Sequence, residues 1–186
     1  MKNIYINETP LKDLKIIKHQ LIKDSRGYLT RLFCQKTLSH LINKKKICQI
    51  NKTLTKKKGT VRGLHFQQPP YSETKIVSCL KGEVWDVAVD LRKGSKTFLN
   101  YYAVVLSSKN HKSYIIPEGF AHGFQTLTSD CEMLYFHSAE YNKDAEGAVN
   151  AIDKKIRIKW PKRITEVSKR DRNHPMLGDN FEGVKL

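Results

Sequence analysis

Residues 74–91, TKIVSCLKGEVWDVAVDL, carry the clearest structural signal in the chain. Two apolar runs rich in β-branched residues, 74–80 and 84–91, flank a Lys81-Gly82 turn, which is the pattern of two antiparallel strands. In the second run the side chains alternate between two faces, with Trp85, Val87, Val89 and Leu91 on one and Asp86, Ala88 and Asp90 on the other. The apolar face predicts a buried side, and the two carboxylates face either water or a pocket.

Runs of the same kind continue on both sides of this stretch. Further strands are predicted at residues 16–22, 47–54, 61–66, 101–106, 113–116, 123–128 and 131–138, with short helices or turns at 37–45 and 166–172. Many short strands at this spacing are typical of an all-β sandwich or barrel. Because no internal repeat or low-complexity linker occurs, residues 1–186 are expected to form a single domain.

The composition is strongly basic. Lys and Arg number 34 against 18 Asp and Glu, which gives a formal net charge of +16 and favours anionic partners. Many of the lysines are scattered or lie in runs such as 44–46 and 56–58, which are expected in solvated loops. No segment resembles a recognition helix or the interleaved aromatic and basic pattern of an RNA-binding sheet. Nucleic acid is therefore not expected as a partner.

The cysteines and the termini bear on location. The four cysteines, at 34, 48, 79 and 131, form no CxxC pair and lack metal-site spacing, so they are expected to be thiols in a reducing compartment. The N-terminal segment has no apolar core of signal length, and no long apolar run occurs elsewhere. A cytoplasmic protein without a membrane partner is expected.

Four polar side chains indicate proton-transfer chemistry. His65 is the type of side chain that best accepts and donates protons near neutral pH. A carboxylate such as Asp171 would fix its tautomer, Lys75 would stabilise a developing oxyanion, and Tyr135 would supply a proton. Each residue alone is more typical of a surface or core position, and only a fold can bring Asp171 next to His65.

Seven short strings connect the chain to a known family. They are DSRG at 24–27, RGLHF at 62–66, KIV at 75–77, DVAVDLR at 86–92, GSKTF at 94–98, PEGFAHGF at 117–124 and SKRD at 168–171. By these strings and their order, over roughly residues 10–176, the chain resembles the dTDP-4-dehydrorhamnose 3,5-epimerase family of metal-free cupin sugar-nucleotide epimerases.

The resemblance implies a fold and an activity. The fold is an all-β double-stranded β-helix, the cupin or jelly-roll barrel, with a few short helices, assembled as a homodimer without metal or other cofactor. The activity is that of an isomerase that epimerises a nucleoside-diphosphate 4-keto-6-deoxy sugar in deoxysugar and surface-polysaccharide biosynthesis.

The resemblance also implies the residues of the site. The catalytic residues would be His65 as base, paired with Asp171, Tyr135 as acid, and Lys75 as the group that holds the ketone oxygen. The substrate-binding residues would be Arg26, Gln49, Asn51, Arg62, Asp86 and His122.

Two positions leave alternatives open. Arg31 stands where the family has an acid, shortly after Arg26-Gly27, which leaves open the nucleotide base and whether one or both carbons are epimerised. Tyr141 is an alternative candidate for the catalytic acid. We prefer Tyr135 because it lies within a predicted strand.

The spacing of Arg62 and His65 presents a geometric problem. Residues three apart face opposite sides of a regular strand, so the two side chains would not share a pocket. We expect Gly63 to allow a bulge that turns one of them.

Two other kinds of protein are weighed against this interpretation. A metal-dependent cupin enzyme needs clustered histidines, whereas His65 is followed by Phe66-Gln67. A non-catalytic cupin that binds sugars or nucleotides, or a basic nucleic-acid binder, would have no need for His65, Lys75, Tyr135 and Asp171 together.

Overall fold

The structure is a computed structural model and describes residues 4–186. The strands are β1 (Ile4–Glu8), β2 (Lys15–His19), β3 (Ile22–Asp24), β4 (Gly27–Leu29), β5 (Gln49–Thr55), β6 (Thr60–Gln67), β7 (Lys75–Lys81), β8 (Glu83–Asp90), β9 (Tyr101–Ser107), β10 (Lys112–Ile116), β11 (Phe120–Thr126), β12 (Cys131–His137), β13 (Glu146–Ala148) and β14 (Glu166–Val167). The helices are α1 (Gln35–Leu38) and α2 (Lys169–Arg172), and 3₁₀ turns lie at Ser39–Ile42 and Lys143–Ala145.

The strands form two large sheets. The first has the order β1-β2-β10-β7-β12-β5, and the second has the order β13-β6-β11-β8-β9, with β14 added parallel to β6. The hairpin β3-β4 pairs only with itself. Strands distant in the chain lie side by side, as β12 beside β5 and β11 beside β6, which is the jelly-roll arrangement. The all-β jelly-roll fold predicted from the sequence is confirmed.

Apolar clusters fill the space between the sheets and cover their outer faces. The cluster between the sheets includes Tyr114, Phe124 and Met133. Behind the second sheet, the C-terminal third packs side chains such as Trp160 against the strands. Behind the first sheet, the segment with α1 contributes Leu38. Each fully buried large side chain stabilises the fold by roughly 1.5–3 kcal/mol.

Strand β8 has the two faces that its alternation predicts. Val87 and Val89 pack into the cluster behind the second sheet, whereas Ala88 points between the sheets. Asp86 and Asp90 are both completely buried, so neither carboxylate faces water. Asp90 accepts hydrogen bonds within the turn that follows β8 and is therefore structural.

Several elements differ from the sequence prediction. The strand expected at 16–22 ends at His19, and Ile22 begins the separate hairpin β3-β4. The helix expected at 37–45 is replaced by α1 and a 3₁₀ turn that ends at Asn43, where the backbone is left-handed. Strands β1 and β13 were not predicted, because β1 is mostly exposed and β13 has only three residues. No helix within residues 4–186 has the length and apolar character needed to cross a bilayer.

Candidate active site

A cavity of about 1000 Å³ opens between the two sheets. The first sheet lines it with β5, β7 and β12, and the second sheet lines it with β6 and β11. The loop before α2 and α2 itself close one side with Ser168, Arg170 and Asp171. Of the residues predicted for the site, the cavity is lined by Gln49, Asn51, Arg62, His65, Lys75, His122, Tyr135 and Asp171.

A bulge in β6 brings Arg62 and His65 to the same cavity. His65 pairs with His122, and Arg62 pairs with Phe124. Between these two pairs, β6 contains one more residue than β11. Gly63 permits the close approach of the strands: a Cβ atom there would lie 2.6 Å from the Cα atom of Gly123. The bulge expected at Gly63 is therefore present, and it resolves the problem of the three-residue spacing.

His65 and Asp171 form a partly buried pair, in which Asp171 is the more deeply buried member. His65 Nε2 lies 3.1 Å from Asp171 Oδ1, and the backbone N–H of Gly63 donates to Asp171 Oδ2 at 3.0 Å. Burial alone would raise the pKa of Asp171, but these hydrogen bonds outweigh it and hold that pKa well below its usual range. An ionised carboxylate only accepts hydrogen bonds, so His65 Nε2 carries the proton and Nδ1 is the ring nitrogen left to act as a base.

Tyr135 lies on the opposite wall from His65. It stands in β12, and its ring is stacked on His137 at a centroid distance of 6.1 Å and lies edge-on to His122 at 6.3 Å. Burial raises the pKa of Tyr135, which keeps the phenol protonated as a proton donor must be. Tyr141 also lines the cavity, but it is exposed, and its hydroxyl lies 3.3 Å from Glu146 Oε2.

Lys75 is held by a glutamate that the sequence analysis did not single out. Its Nζ atom lies 3.1 Å from Oε1 of Glu73, whose Oε2 accepts from Nδ1 of His137 at 2.7 Å. Lys75 Nζ also lies 3.4 Å from the backbone carbonyl of His65. The ammonium group of Lys75 therefore reaches across the cavity towards the strand that carries His65.

Asp86 stands behind the cavity wall instead of lining it. Its Oδ1 atom lies 2.8 Å from His122 Nε2, and burial raises the pKa of Asp86. Its Oδ2 atom has no hydrogen-bond partner among residues 4–186. Asp86 was predicted to line the sugar site; it is not among the residues that line the cavity, and it is linked to the cavity through His122, which does line it.

Arg26 differs from the other predicted site residues in its surroundings. It stands on the hairpin β3-β4, exposes 88% of its side chain and pairs with Asp24. Arg26 is thus outside the cavity that the described residues form. Arg62, by contrast, is anchored at the cavity wall, where it donates from Nε to Thr55 Oγ1 at 2.9 Å.

The surroundings of His65 do not favour a metal ion. The ligand atoms of His65, Asp171 and His174 lie within 4.8 Å of one another, which is the spacing of a potential site. The guanidinium group of Arg170 occupies the same region, with Nε at 3.5 Å from Asp171 Oδ1 and Nη2 at 3.4 Å from His65 Nε2. A cation bound there would face the positive charge of Arg170 at close range.

Lysines at the mouth were expected only as solvated loop residues. Lys56 and Lys57 follow β5 and line the cavity, and Lys57 lies 3.5 Å from Glu166. The sequence did hold a signal for this position. Lys56 and Lys57 lie in the turn between β5 and β6, and that turn lies at one end of the strand that carries Arg62 and His65.

Comparisons with known proteins give a consistent result. Residues 8–179 match the family model described as dTDP-4-dehydrorhamnose 3,5-epimerase. The enzyme of that name from Sinorhizobium fredii is 35% identical over 100% of this chain and 97% of its own length. The one from Salmonella typhimurium is 39% identical over 91% of this chain and 93% of its own length.

A solved structure extends the likeness to three dimensions. The dTDP-6-deoxy-D-glucose-3,5-epimerase of Legionella pneumophila, in complex with dTDP-4-keto-L-rhamnose, superposes with a TM-score of 0.90 at 33% identity. The match covers 98% of this chain and 98% of the Legionella chain.

Proposed function

Because this chain belongs to the dTDP-4-dehydrorhamnose 3,5-epimerase family, we propose that it epimerises a dTDP-linked 4-keto-6-deoxy sugar, with His65 as the base. The observation that carries the assignment of the base is the pair of His65 and Asp171 on one wall of a cavity whose other wall holds Lys75 and Tyr135. The reaction is an isomerisation, without net oxidation or transfer of a group to another molecule.

The carbonyl group of such a sugar makes proton abstraction feasible. A ketone at C4 acidifies the hydrogens on both C3 and C5, so one base serves both centres if the ring is repositioned. His65 removes a proton through Nδ1, and the ionised Asp171 stabilises the resulting imidazolium. The ammonium group of Lys75 stabilises the negative charge that develops on the ketone oxygen.

Inversion requires that the proton return from the other side. Tyr135 belongs to the first sheet and His65 to the second, so a sugar ring held between the sheets has one on each face. Tyr135 then donates a proton to the face opposite that of abstraction. Each such acid–base step typically contributes about 10²–10⁴-fold to the rate.

The nucleotide would be bound by polar groups around this centre. Gln49, Asn51 and Arg62 line the cavity and offer amide and guanidinium donors, and a planar guanidinium matches the oxygens of a diphosphate. Arg26 lies outside the cavity of its own chain, so its proposed role in holding the nucleotide requires a second subunit whose cavity it reaches.

The proposed assembly is a homodimer. Strand β5 is an edge of the first sheet and exposes the apolar side chains of Ile50 and Leu54, and the hairpin β3-β4 exposes Tyr28 and Leu29. Exposed apolar groups on an unpaired edge favour association. Light scattering should give about twice the chain mass of 21.5 kDa, and a monomer would contradict the proposal.

A cytoplasmic location is proposed with the reaction. All four cysteines, which lie within residues 4–186, are free thiols, as is typical of reducing compartments. Fractionation of the producing cells should recover the protein in the cytoplasmic fraction, and recovery from an oxidising compartment would contradict the proposal.

The test of the function is a pair of measurements in D₂O with dTDP-4-keto-6-deoxy-D-glucose. The wild-type protein should exchange the hydrogens at C3 and C5 for deuterium and form the 3,5-epimer, as followed by NMR. In His65→Asn the rates of deuterium exchange and of epimer formation should both fall roughly 10²–10⁴-fold, because the general base is gone. His40→Asn, at an exposed position outside the cavity, is the matched control and should behave as the wild type. Undiminished exchange in His65→Asn would refute the role of His65.

A further inference from the structure

We propose that Glu73 is a positioning residue of this active site, which holds Lys75 and His137 in one hydrogen-bonded unit and thereby orients the oxyanion-stabilising ammonium group. This inference deepens the proposed function and rests on it. Glu73 lies just before β7 and Lys75 is the first residue of that strand, whereas His137 is the last residue of β12.

The three side chains are buried together and closely bonded. Glu73 exposes 8% of its side chain, and its two oxygens have different partners: Oε1 lies 3.1 Å from Lys75 Nζ, and Oε2 lies 2.7 Å from His137 Nδ1. A buried charge is stable only when it is paired and hydrogen-bonded. Glu73 therefore compensates the ammonium group of Lys75 inside the cavity wall.

The protonation of Glu73 determines how His137 bonds. Burial alone would raise the pKa of Glu73, but the charge of Lys75 and the hydrogen bond from His137 outweigh it and hold that pKa below its usual range. The carboxylate accepts only, so His137 Nδ1 carries a proton. In the neutral ring Nε2 is then an acceptor, and it lies 3.4 Å from Nδ2 of Asn51, which lines the cavity.

Two reaction roles depend on this one carboxylate. Among residues 4–186, the other polar contact of Lys75 Nζ is the long 3.4 Å approach to the His65 carbonyl, so Glu73 is its stronger anchor. The His137 ring that Glu73 fixes is stacked on Tyr135 with only 20° between the planes. Asp86, another buried carboxylate nearby, is bonded to His122 and, among residues 4–186, makes no hydrogen bond to Lys75 or His137.

The kinetic test removes the negative charge of the residue 73 side chain and keeps its shape. Glu73→Gln removes the negative charge and turns one of the two acceptor oxygens into an NH₂ donor, so Lys75 and His137 can no longer each be paired with an oxygen of their own. The value of kcat should fall roughly 10–100-fold, less than the ~10²–10³-fold typical when an oxyanion donor is removed outright. The value of KM should stay within about threefold, because Glu73 bonds Lys75 and His137 and not the residues proposed to bind the nucleotide.

The matched control is Glu118→Gln. Glu118 is also a largely buried carboxylate paired with a lysine, Lys45, but it lies outside the cavity. A general loss of stability or solubility would affect both variants, whereas the positioning role predicts a kcat loss in Glu73→Gln alone. Equal kcat values for Glu73→Gln and the wild type would overturn the inference.

A spectroscopic test examines the hydrogen bond between Glu73 and His137 in the absence of substrate. Nitrogen-15 NMR of the seven imidazoles, with His137→Gln to assign its signal, should show His137 protonated at Nδ1 and unprotonated at Nε2 in the wild type. In Glu73→Gln this tautomer should give way to the Nε2-protonated form. A wild-type His137 with its proton on Nε2 would overturn the inference. If the wild type exchanges no deuterium, the proposed function fails, whereas the imidazole spectrum tests Glu73 independently.

Discussion

At the scale of residues, access distinguishes three similar imidazoles around the cavity. His65, His137 and His122 are each bonded to a buried carboxylate, but they expose 25%, 12% and 6% of their side chains. Of the three side chains, a substrate can therefore reach that of His65 most easily. Its partner Asp171 is ionised, whereas burial raises the pKa of Asp86, the partner of His122. The ionised Asp171 stabilises the imidazolium that forms when His65 acts as a base.

The two tyrosines of the cavity should separate in a single experiment. Tyr135→Phe removes the proton donor but leaves His65 and Lys75 in place, so proton abstraction continues. The same base then returns deuterium to the face from which it took hydrogen. We expect deuterium exchange within about tenfold of the wild-type rate, and a loss of epimer formation of roughly 10²–10⁴-fold, both measured by NMR in D₂O.

Tyr141→Phe is the companion variant for this prediction. Tyr141 is exposed at the cavity and interacts with Glu146, so its loss should change KM and leave the ratio of epimer formation to exchange unchanged. If Tyr141→Phe uncouples exchange from epimerisation and Tyr135→Phe does not, the two assignments must be reversed.

At the scale of elements, the bulge in β6 links the fold to the chemistry. Gly63 has φ +117°, and a Cβ atom there would lie 2.6 Å from the Cα of Gly123 and 2.7 Å from the carbonyl oxygen of His122. Gly63→Ala should therefore separate β6 from β11 and lower the free energy of unfolding by about 3 kcal/mol, measured by urea denaturation. Epimerase activity should fall as well, because the N–H of Gly63 also donates to Asp171.

Gly178→Ala provides the control for the Gly63 prediction. A Cβ atom at Gly178 meets nothing within 4 Å, and its φ is not in the left-handed region. Its free energy of unfolding should stay within about 0.5 kcal/mol of the wild-type value. A Gly63→Ala protein as stable and active as Gly178→Ala would mean that β6 tolerates a wider spacing than its backbone indicates.

The sequence predicted the strands better than the site, because alternation is a local property. The two faces of β8 and the need for a bulge at Gly63 followed from side-chain periodicity within one strand. The pair of His65 and Asp171 spans 106 residues, so only the resemblance suggested it. The isolated hairpin β3-β4 and the edge strand β1 were missed because exposed strands lack a continuous apolar face.

Glu73 and His137 were missed although a signal existed. Residues two apart in a strand share a face, so Glu73 should lie beside Lys75, and His137 beside Tyr135. That the two pairs meet depends on the register of β7 and β12, in which Lys75 is opposite His137. Strand register between distant segments is set by the whole sheet and is not visible in either segment alone.

At the scale of the whole molecule, the positive charge is unevenly distributed. The net charge of +16 is spread over the chain, but Lys56, Lys57, Arg62 and Arg170 stand together around the cavity. Four carboxylates also line the cavity, at Glu73, Glu146, Glu166 and Asp171. An anionic ligand is therefore attracted by the excess of positive charge, at the cavity and over the whole molecule, which raises its association rate. A nucleoside-diphosphate sugar carries its negative charge on the diphosphate, so the cavity is suited to draw in this class of substrate.

This arrangement predicts a specific dependence on salt. Raising the ionic strength from about 0.02 to 0.5 M should lower kcat/KM several-fold and leave kcat nearly constant, because screening weakens attraction between exposed charges and not the buried chemistry. Replacing Lys56 and Lys57 together by Gln should reduce the slope. Replacing Lys44 and Lys46, which are exposed and outside the cavity, removes the same charge and should leave the slope almost unchanged. Equal slopes in the two double variants would mean that the total charge of the molecule, and not its concentration at the cavity mouth, controls encounter with the substrate.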